Sequence, residues 1–112
     1  MRCLELFDLD KKIEVMDIGA AALAEEPIYS KLIDENIANL NAFEGDERQS
    51  DKLKSKYGNN FKLFNKFLFD GSFQNLYLAA PNTGMTSLLK PNEKVLNFFN
   101  GFSKFGEIEK IE

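Results

Sequence analysis

The sequence predicts an α/β fold, a parallel sheet with helices packed on its faces. Ile13–Ile18 is an apolar run that ends at Gly19, as in a strand covered on both faces. Two further strand-like runs follow, at residues 40–43 and 61–69, and a helix-like segment separates each strand from the next. This alternation of strand and helix is typical of right-handed parallel crossover units.

The two intervening segments carry recognisable helix signals. The first starts near residues 25–27, where two acids precede a proline, and Asn36 suits a left-handed stop. Four apolar residues recur in it at helical spacing and predict a buried stripe: Ile28, Tyr29, Leu32 and Ile33. In the second, Asp46 and Gln49 form a capping-box-like start, and residues 58–60 end the helix.

The remaining segments predict an antiparallel addition to the sheet. Asp70-Gly71 signals a hairpin, and residues 73–78 alternate as its returning strand. Residues 91–99 favour a helix, and residues 107–112 resemble the start of another strand. Residues 1–12 suit either a short helix or an extended lead-in.

Length and charge restrict the class of protein. A chain of 112 residues and 12.8 kDa is expected to form one domain, spanning residues 1–112. A net charge of −4 argues against nucleic-acid coating or binding to an anionic membrane, and the lysines at residues 52–66 are better explained as a solvated helix face. The lone Cys3, the acidic N-terminus and the absence of a long apolar run predict a cytoplasmic protein.

The sequence contains no histidine, which excludes several kinds of chemistry. Imidazole bases, Ser-His or Cys-His pairs and histidine-ligated metals are all ruled out. With a single cysteine, the usual zinc and iron–sulfur sites are excluded as well, so no metal site is predicted. Carboxylate, lysine or tyrosine chemistry remains, as does chemistry carried by a cofactor.

Ligands in such folds lie beyond the carboxyl ends of the strands. After the first strand, Gly19, Ala20 and Ala21 would let a ligand approach the backbone, and the N-terminus of the next helix would offer unpaired N–H groups. The segment is not GxGxxG, and Asp17 would repel a diphosphate while favouring a cation. The alternative is an ordinary turn with no ligand.

Two more acids lie at the ends of the next strands. Glu44 follows the second strand, where a carboxylate can accept hydrogen bonds from two ribose hydroxyls. Its alternative role is a solvated acid that opens the next helix. Asp70 is placed to contact an adenine amino group, although a hairpin turn explains it better.

The order of these features resembles the FkbM-type S-adenosylmethionine-dependent methyltransferases. The likeness covers residues 14–92 and includes the segments 15–21, 41–46, 70–78 and 84–92. It implies a three-layer Rossmann-like fold with an added antiparallel hairpin, truncated after about the third parallel strand. It also implies S-adenosylmethionine as cofactor, with eight candidate binding residues: Asp17, Gly19, Ala20, Ala21, Glu44, Gly45, Asp46 and Asp70.

By this resemblance, the expected activity is O-methyl transfer to a hydroxyl of a small molecule or sugar, and no catalytic residue is assigned. Two alternatives stay open: a non-catalytic relic that associates with other proteins, and a site for another adenine cofactor. A homo-oligomer would form through the exposed sheet edge or the aromatic segment 98–105. This segment contains four phenylalanines: Phe98, Phe99, Phe102 and Phe105. The simplest interpretation is that they complete the core. Alternatively, they fold back and cover the exposed edge of the sheet.

Overall fold

Three parallel strands form the main sheet. The structure, a computed structural model, describes residues 11–112, so the predictions for residues 1–10, including Cys3, lie outside the described residues. β1 (Ile13–Ile18) pairs with β2 (Ala38–Phe43), and β2 pairs with β3 (Phe61–Phe64), in the order β1-β2-β3. The predicted parallel α/β sheet is confirmed, with a third strand shorter than the predicted run 61–69.

The two crossovers contain α1 (Ser30–Asp34) and α2 (Ser50–Tyr57), the latter preceded by a 3-10 turn at Glu47–Gln49. α1 begins later than predicted, because residues 27–30 form a turn closed by the Ser30 N–H to the Pro27 carbonyl at 3.0 Å. Ile28 therefore lies outside the helix and is fully exposed. The predicted stop is confirmed, since Asn36 has φ 60°.

Both helices pack on the same face of the sheet. The buried cluster joins Ile33 of α1 and Leu53 of α2 to Leu40 and its alternate neighbours in β2, which share one face. Since the strand order runs in one direction, right-handed crossovers place both helices on that side. On the opposite face Met16 and Ile18 remain 65% and 62% exposed. Residues 11–112 thus form two layers, the parallel sheet and the helices on one of its faces, whereas the sequence predicted three.

A separate antiparallel sheet follows. β4 (Tyr77–Ala79) pairs with β5 (Ile108–Ile111), so the strand predicted at residues 107–112 is confirmed. The predicted hairpin at Asp70-Gly71 is wrong, because β4 pairs with this later strand and not with the run before the turn. The Asp70 carboxylate instead accepts the Ser72 N–H at 2.9 Å, which stabilises an exposed turn.

The aromatic segment does not complete the core. It spans the end of α3 (Glu93–Phe98) and a 3-10 turn at Ser103–Gly106. Its phenylalanine rings contact one another in succession, with centroids 5.2 to 6.0 Å apart. Phe98 is 81% exposed, and Phe99 and Phe102 are about half exposed. None of the helices within residues 11–112 has the length and apolar character needed to cross a bilayer.

Candidate functional site

A cavity of about 380 Å³ lies at the carboxyl edge of the parallel sheet. One wall comes from the turn after β1, and a second comes from the end of β2 and the start of the following helical segment. The remaining walls are residues 66–68, which follow β3, and residues between 81 and 88, which follow β4. The cavity therefore lies between the carboxyl edge of the parallel sheet and the loop that follows β4.

The turn after β1 is held against the end of β2. The N–H groups of Gly19 and Ala20 both donate to the Phe43 carbonyl, at 2.8 and 3.2 Å. Gly19 has φ +78°, which favours glycine, and a β-carbon there would meet no atom within 4 Å. The turn thus offers open backbone surface to a ligand. The expected helix N-terminus does not lie at this turn, because residues 20–29 separate Gly19 from α1.

Glu44 places a buried carboxylate at the end of β2. Its N–H continues the sheet by donating to the Phe64 carbonyl at 3.0 Å, and the residue is only 6% exposed. Oε1 accepts the Asp46 N–H at 2.8 Å. Burial raises the pKa of this carboxyl, and the nearby charges of Asp46 and Asp17 raise it further, while the Asp46 N–H opposes them. The residue lines the cavity.

Asp46 also lines the cavity, but its carboxylate is engaged in the fold. Oδ1 accepts the N–H of Arg48 at 3.0 Å and so caps the 3-10 turn, and the guanidinium of Arg48 contacts both carboxylate oxygens at 2.8 and 2.9 Å. These contacts hold the pKa of Asp46 below its usual range. Arg48 also binds Glu109 and the Ala79 carbonyl, at 2.6 and 2.8 Å, and thereby joins the 3-10 turn before α2 to the second sheet. Through its contacts with Arg48, Asp46 therefore holds in place the wall of the cavity that follows β2.

The structure brings five of the eight predicted residues together at the cavity: Gly19, Ala21, Glu44, Gly45 and Asp46. Three others lie elsewhere. Asp17 is on the helix-packed face of β1 and accepts the hydroxyl hydrogen of Tyr29, Ala20 is buried in the core, and Asp70 is exposed. The Asp17 side chain faces the helices because it alternates with Ile18, which lines the cavity.

Sequence reasoning missed Gln49, Lys66, Phe67 and the loop after β4, all of which line the cavity. Gln49 was predicted only as part of a capping box, yet its side chain does not return to Asp46. Nε2 donates instead to the Pro81 carbonyl at 2.7 Å. The loop was missed because the predicted hairpin would have paired β4 with the wrong partner. No signal within the sequence links residues 46–49 to residue 81.

The cavity combines a hydrogen-bond acceptor with possible donors, set among apolar walls. Glu44 contributes a carboxylate, Lys66 contributes an ammonium group, and Phe43, Phe67 and Leu68 contribute apolar surface. Within residues 11–112, no three acidic or cysteine side chains gather in a way that could hold a metal ion. Comparisons with protein-family models, with curated proteins and with solved structures find no match to this chain.

Proposed function

We propose that this chain is the cofactor-binding portion of an S-adenosylmethionine-dependent methyltransferase of the FkbM type, with a Rossmann-like fold and a cytoplasmic location. The observation that carries the proposal is the common cavity of the Glu44 carboxylate and the open Gly19 turn. The acceptor is proposed to be a hydroxyl of a small molecule or sugar.

The residues present fit such a cofactor. Glu44 retains acceptor capacity beyond its bond to the Asp46 N–H, and two adjacent ribose hydroxyls are suitable donors. Phe67 and Leu68 provide apolar surface for a purine ring. A ligand with a net positive charge also suits a site whose buried carboxylate has a raised pKa, because the ligand stabilises the charged form.

When bound, the cofactor supplies an electrophilic methyl group. The chain's own contribution is to bind and orient it, and alignment of donor and acceptor can be worth on the order of 7–11 kcal/mol. The structural support for this proposal comes from Glu44 and from the residues that line the cavity beside it. Asp17 and Asp70, which the resemblance assigns to the cofactor, lie away from the cavity.

Isothermal titration with S-adenosylmethionine and S-adenosylhomocysteine tests the proposal. We expect binding that Glu44→Ala weakens about tenfold or more, since a charged hydrogen-bond acceptor is lost. Glu47→Ala is the matched control, because Glu47 is exposed on the adjacent turn and does not line the cavity. Absence of heat and of a thermal shift at millimolar ligand would refute the proposal. Stronger binding of NAD or ATP would favour another adenine cofactor.

The exposed aromatic segment favours a second candidate function, a protein-association module on the same scaffold. Phe98, Phe99 and Phe102 present contiguous apolar surface, which is typical of contact sites. Light scattering of the wild type and of Phe98→Ser tests this. Self-association that the substitution abolishes supports the module, and a strict monomer that binds cofactor contradicts it.

A further inference from the structure

The turn that follows α3 places an asparagine, Asn100, directly before a glycine, Gly101. Both residues are exposed, and the turn is closed by a hydrogen bond from the Phe102 N–H to the Phe99 carbonyl at 3.2 Å. Gly101 has φ +78°, a conformation that glycine adopts without strain. A β-carbon built on Gly101 would meet no atom within 4 Å, so the space beside this part of the backbone is open.

The groups that could react with each other in this turn are not engaged elsewhere. Within the part of the chain that the structure describes, the Gly101 N–H donates to no acceptor, and the side-chain amide of Asn100 has no hydrogen-bond partner. The turn therefore depends on its single backbone hydrogen bond. Neither the peptide nitrogen nor the side chain has to break another contact in order to rotate toward the other.

Other exposed asparagines are held differently. After Asn59, Asn75 and Asn82, the next backbone N–H donates to a backbone carbonyl, at 3.1, 2.8 and 3.0 Å respectively. None of these three asparagines is followed by glycine, so a side chain also crowds the peptide nitrogen. Asn100 thus differs from them both in the freedom of the next N–H and in the absence of a neighbouring β-carbon.

We infer that Asn100 is a site of spontaneous deamidation, a covalent modification whose only co-reactant is water. The Gly101 nitrogen loses its proton and attacks Cγ of Asn100. A C–N bond forms, the Cγ–Nδ2 bond breaks, and Nδ2 leaves as ammonia with that proton. Water then opens the resulting succinimide ring at either of its carbonyl groups. The product is an aspartate or an isoaspartate at position 100, and nothing is oxidised or reduced.

The modification changes the aromatic segment 98–105. The new carboxylate lies in the turn between Phe99 and Phe102, whose exposed rings have centroids 6.0 Å apart. It adds one negative charge to a chain whose net charge is −4. Because removal of a carboxylate from water is costly, the deamidated form is disfavoured in any contact that buries this surface. The aromatic segment therefore becomes less suited to apolar contacts as the protein ages.

Incubation of the full chain at pH 8, followed by peptide mapping with mass spectrometry, tests the inference. We expect Asn100 to be converted before any other asparagine, at a rate within about tenfold of its rate in the same chain unfolded in urea, because a turn held by one hydrogen bond opens at little cost. Asn59, Asn75 and Asn82 should remain largely intact over that period. Conversion should be slower at pH 6, since the attacking nitrogen must lose its proton.

Gly101→Ala should slow the conversion of Asn100 by about tenfold or more, because a β-carbon hinders the attack and disfavours the positive φ. Gly58→Ala is the matched control, since Gly58 also has a positive φ, +59°, and open space around it but follows no asparagine. It should leave the rate at Asn100 unchanged.

Three results would overturn the inference. One is a rate at Asn100 that is more than about tenfold slower in the folded chain than in urea, which would mean that the turn protects it. The others are earlier conversion of a different asparagine and an unchanged rate in Gly101→Ala. Isoelectric focusing of the intact chain adds an independent readout, because the acidic species should be absent from Asn100→Gln.

Discussion

The ring of Phe67 lies so close to the backbone of Gly45 that a β-carbon on Gly45 would be 2.1 Å from two ring atoms. Gly45 has an ordinary negative φ, so glycine is required at this position by the close approach of the ring and not by backbone conformation. Both residues line the cavity. The absent side chain therefore lets an aromatic ring form part of its wall.

Gly45→Ala should displace Phe67 and destabilise the fold by about 1–3 kcal/mol, the usual cost of overpacking. Chemical denaturation measures this change. The double variant Gly45→Ala/Phe67→Ala should be less destabilised than the sum of the single variants, because the ring that clashes is gone. Strictly additive effects would show that the close contact has no energetic consequence.

Glu44→Gln should stabilise the protein at neutral pH. The raised pKa of Glu44 means that the folded state binds its proton more tightly than the unfolded state, whose pKa is near 4.5. Stability is therefore lost as pH rises above about 4.5 through the folded-state pKa, and the neutral amide avoids this loss. Denaturation at pH 7 and pH 4 should show a gain only at the higher pH. The exposed variant Glu47→Gln should change stability by less than about 0.5 kcal/mol at pH 7.

Ligand binding should depend on pH through the same carboxyl. Hydroxyl donors are bound best by the charged carboxylate, so affinity should fall as pH decreases through the raised pKa of Glu44. Titrations between pH 4.5 and 8 measure this. Glu44→Gln should bind more weakly but lose most of the pH dependence. An identical pH profile in that variant would assign the dependence to another group.

Arg48→Ala should loosen the second sheet and destabilise the whole protein by about 2 kcal/mol, as expected for the loss of hydrogen bonds to a buried carboxylate. Its contacts to Glu109 and Ala79 would disappear, so hydrogen exchange should accelerate in β4 and β5 more than in β2. Arg48→Lys should restore part of the stability, because it retains the charge and not the paired geometry. Uniform acceleration in both sheets would contradict a local role.

Leu40→Ala should destabilise the protein by about 2–5 kcal/mol, because Leu40 is 1% exposed at the centre of the main core. Leu89→Ala is the matched control, since Leu89 is 79% exposed, and should cost less than about 0.5 kcal/mol. Thermal unfolding of the two variants compares them directly. Similar losses would mean that the cluster around Leu40 is not the stabilising core.

The parallel sheet was predictable because its signals are local. The apolar run that forms β1, the cap that Asp46 provides before α2, and the left-handed Asn36 all depend on residues within one or two turns of the chain. The resulting strand ends also placed Gly19 and Glu44 at one edge, where both line the cavity.

The second sheet was not predictable from the same kind of signal. Asp70-Gly71 has the composition of a hairpin turn, but the partner of β4 lies some thirty residues later in the chain, in β5. Pairing over that distance is decided by tertiary packing, including the contact between Arg48 and Glu109. The contribution of residues 81–88 to the cavity, and that of Gln49, follow from this packing.

The cavity has one further physical consequence, because its walls come from the carboxyl edge of the parallel sheet and from the loop that follows β4, a strand of the other sheet. A molecule held there touches the parallel sheet and this loop and opposes their separation. Occupancy would then act as a non-covalent cross-link, raising the melting temperature in proportion to the logarithm of ligand concentration and protecting both halves against proteolysis together.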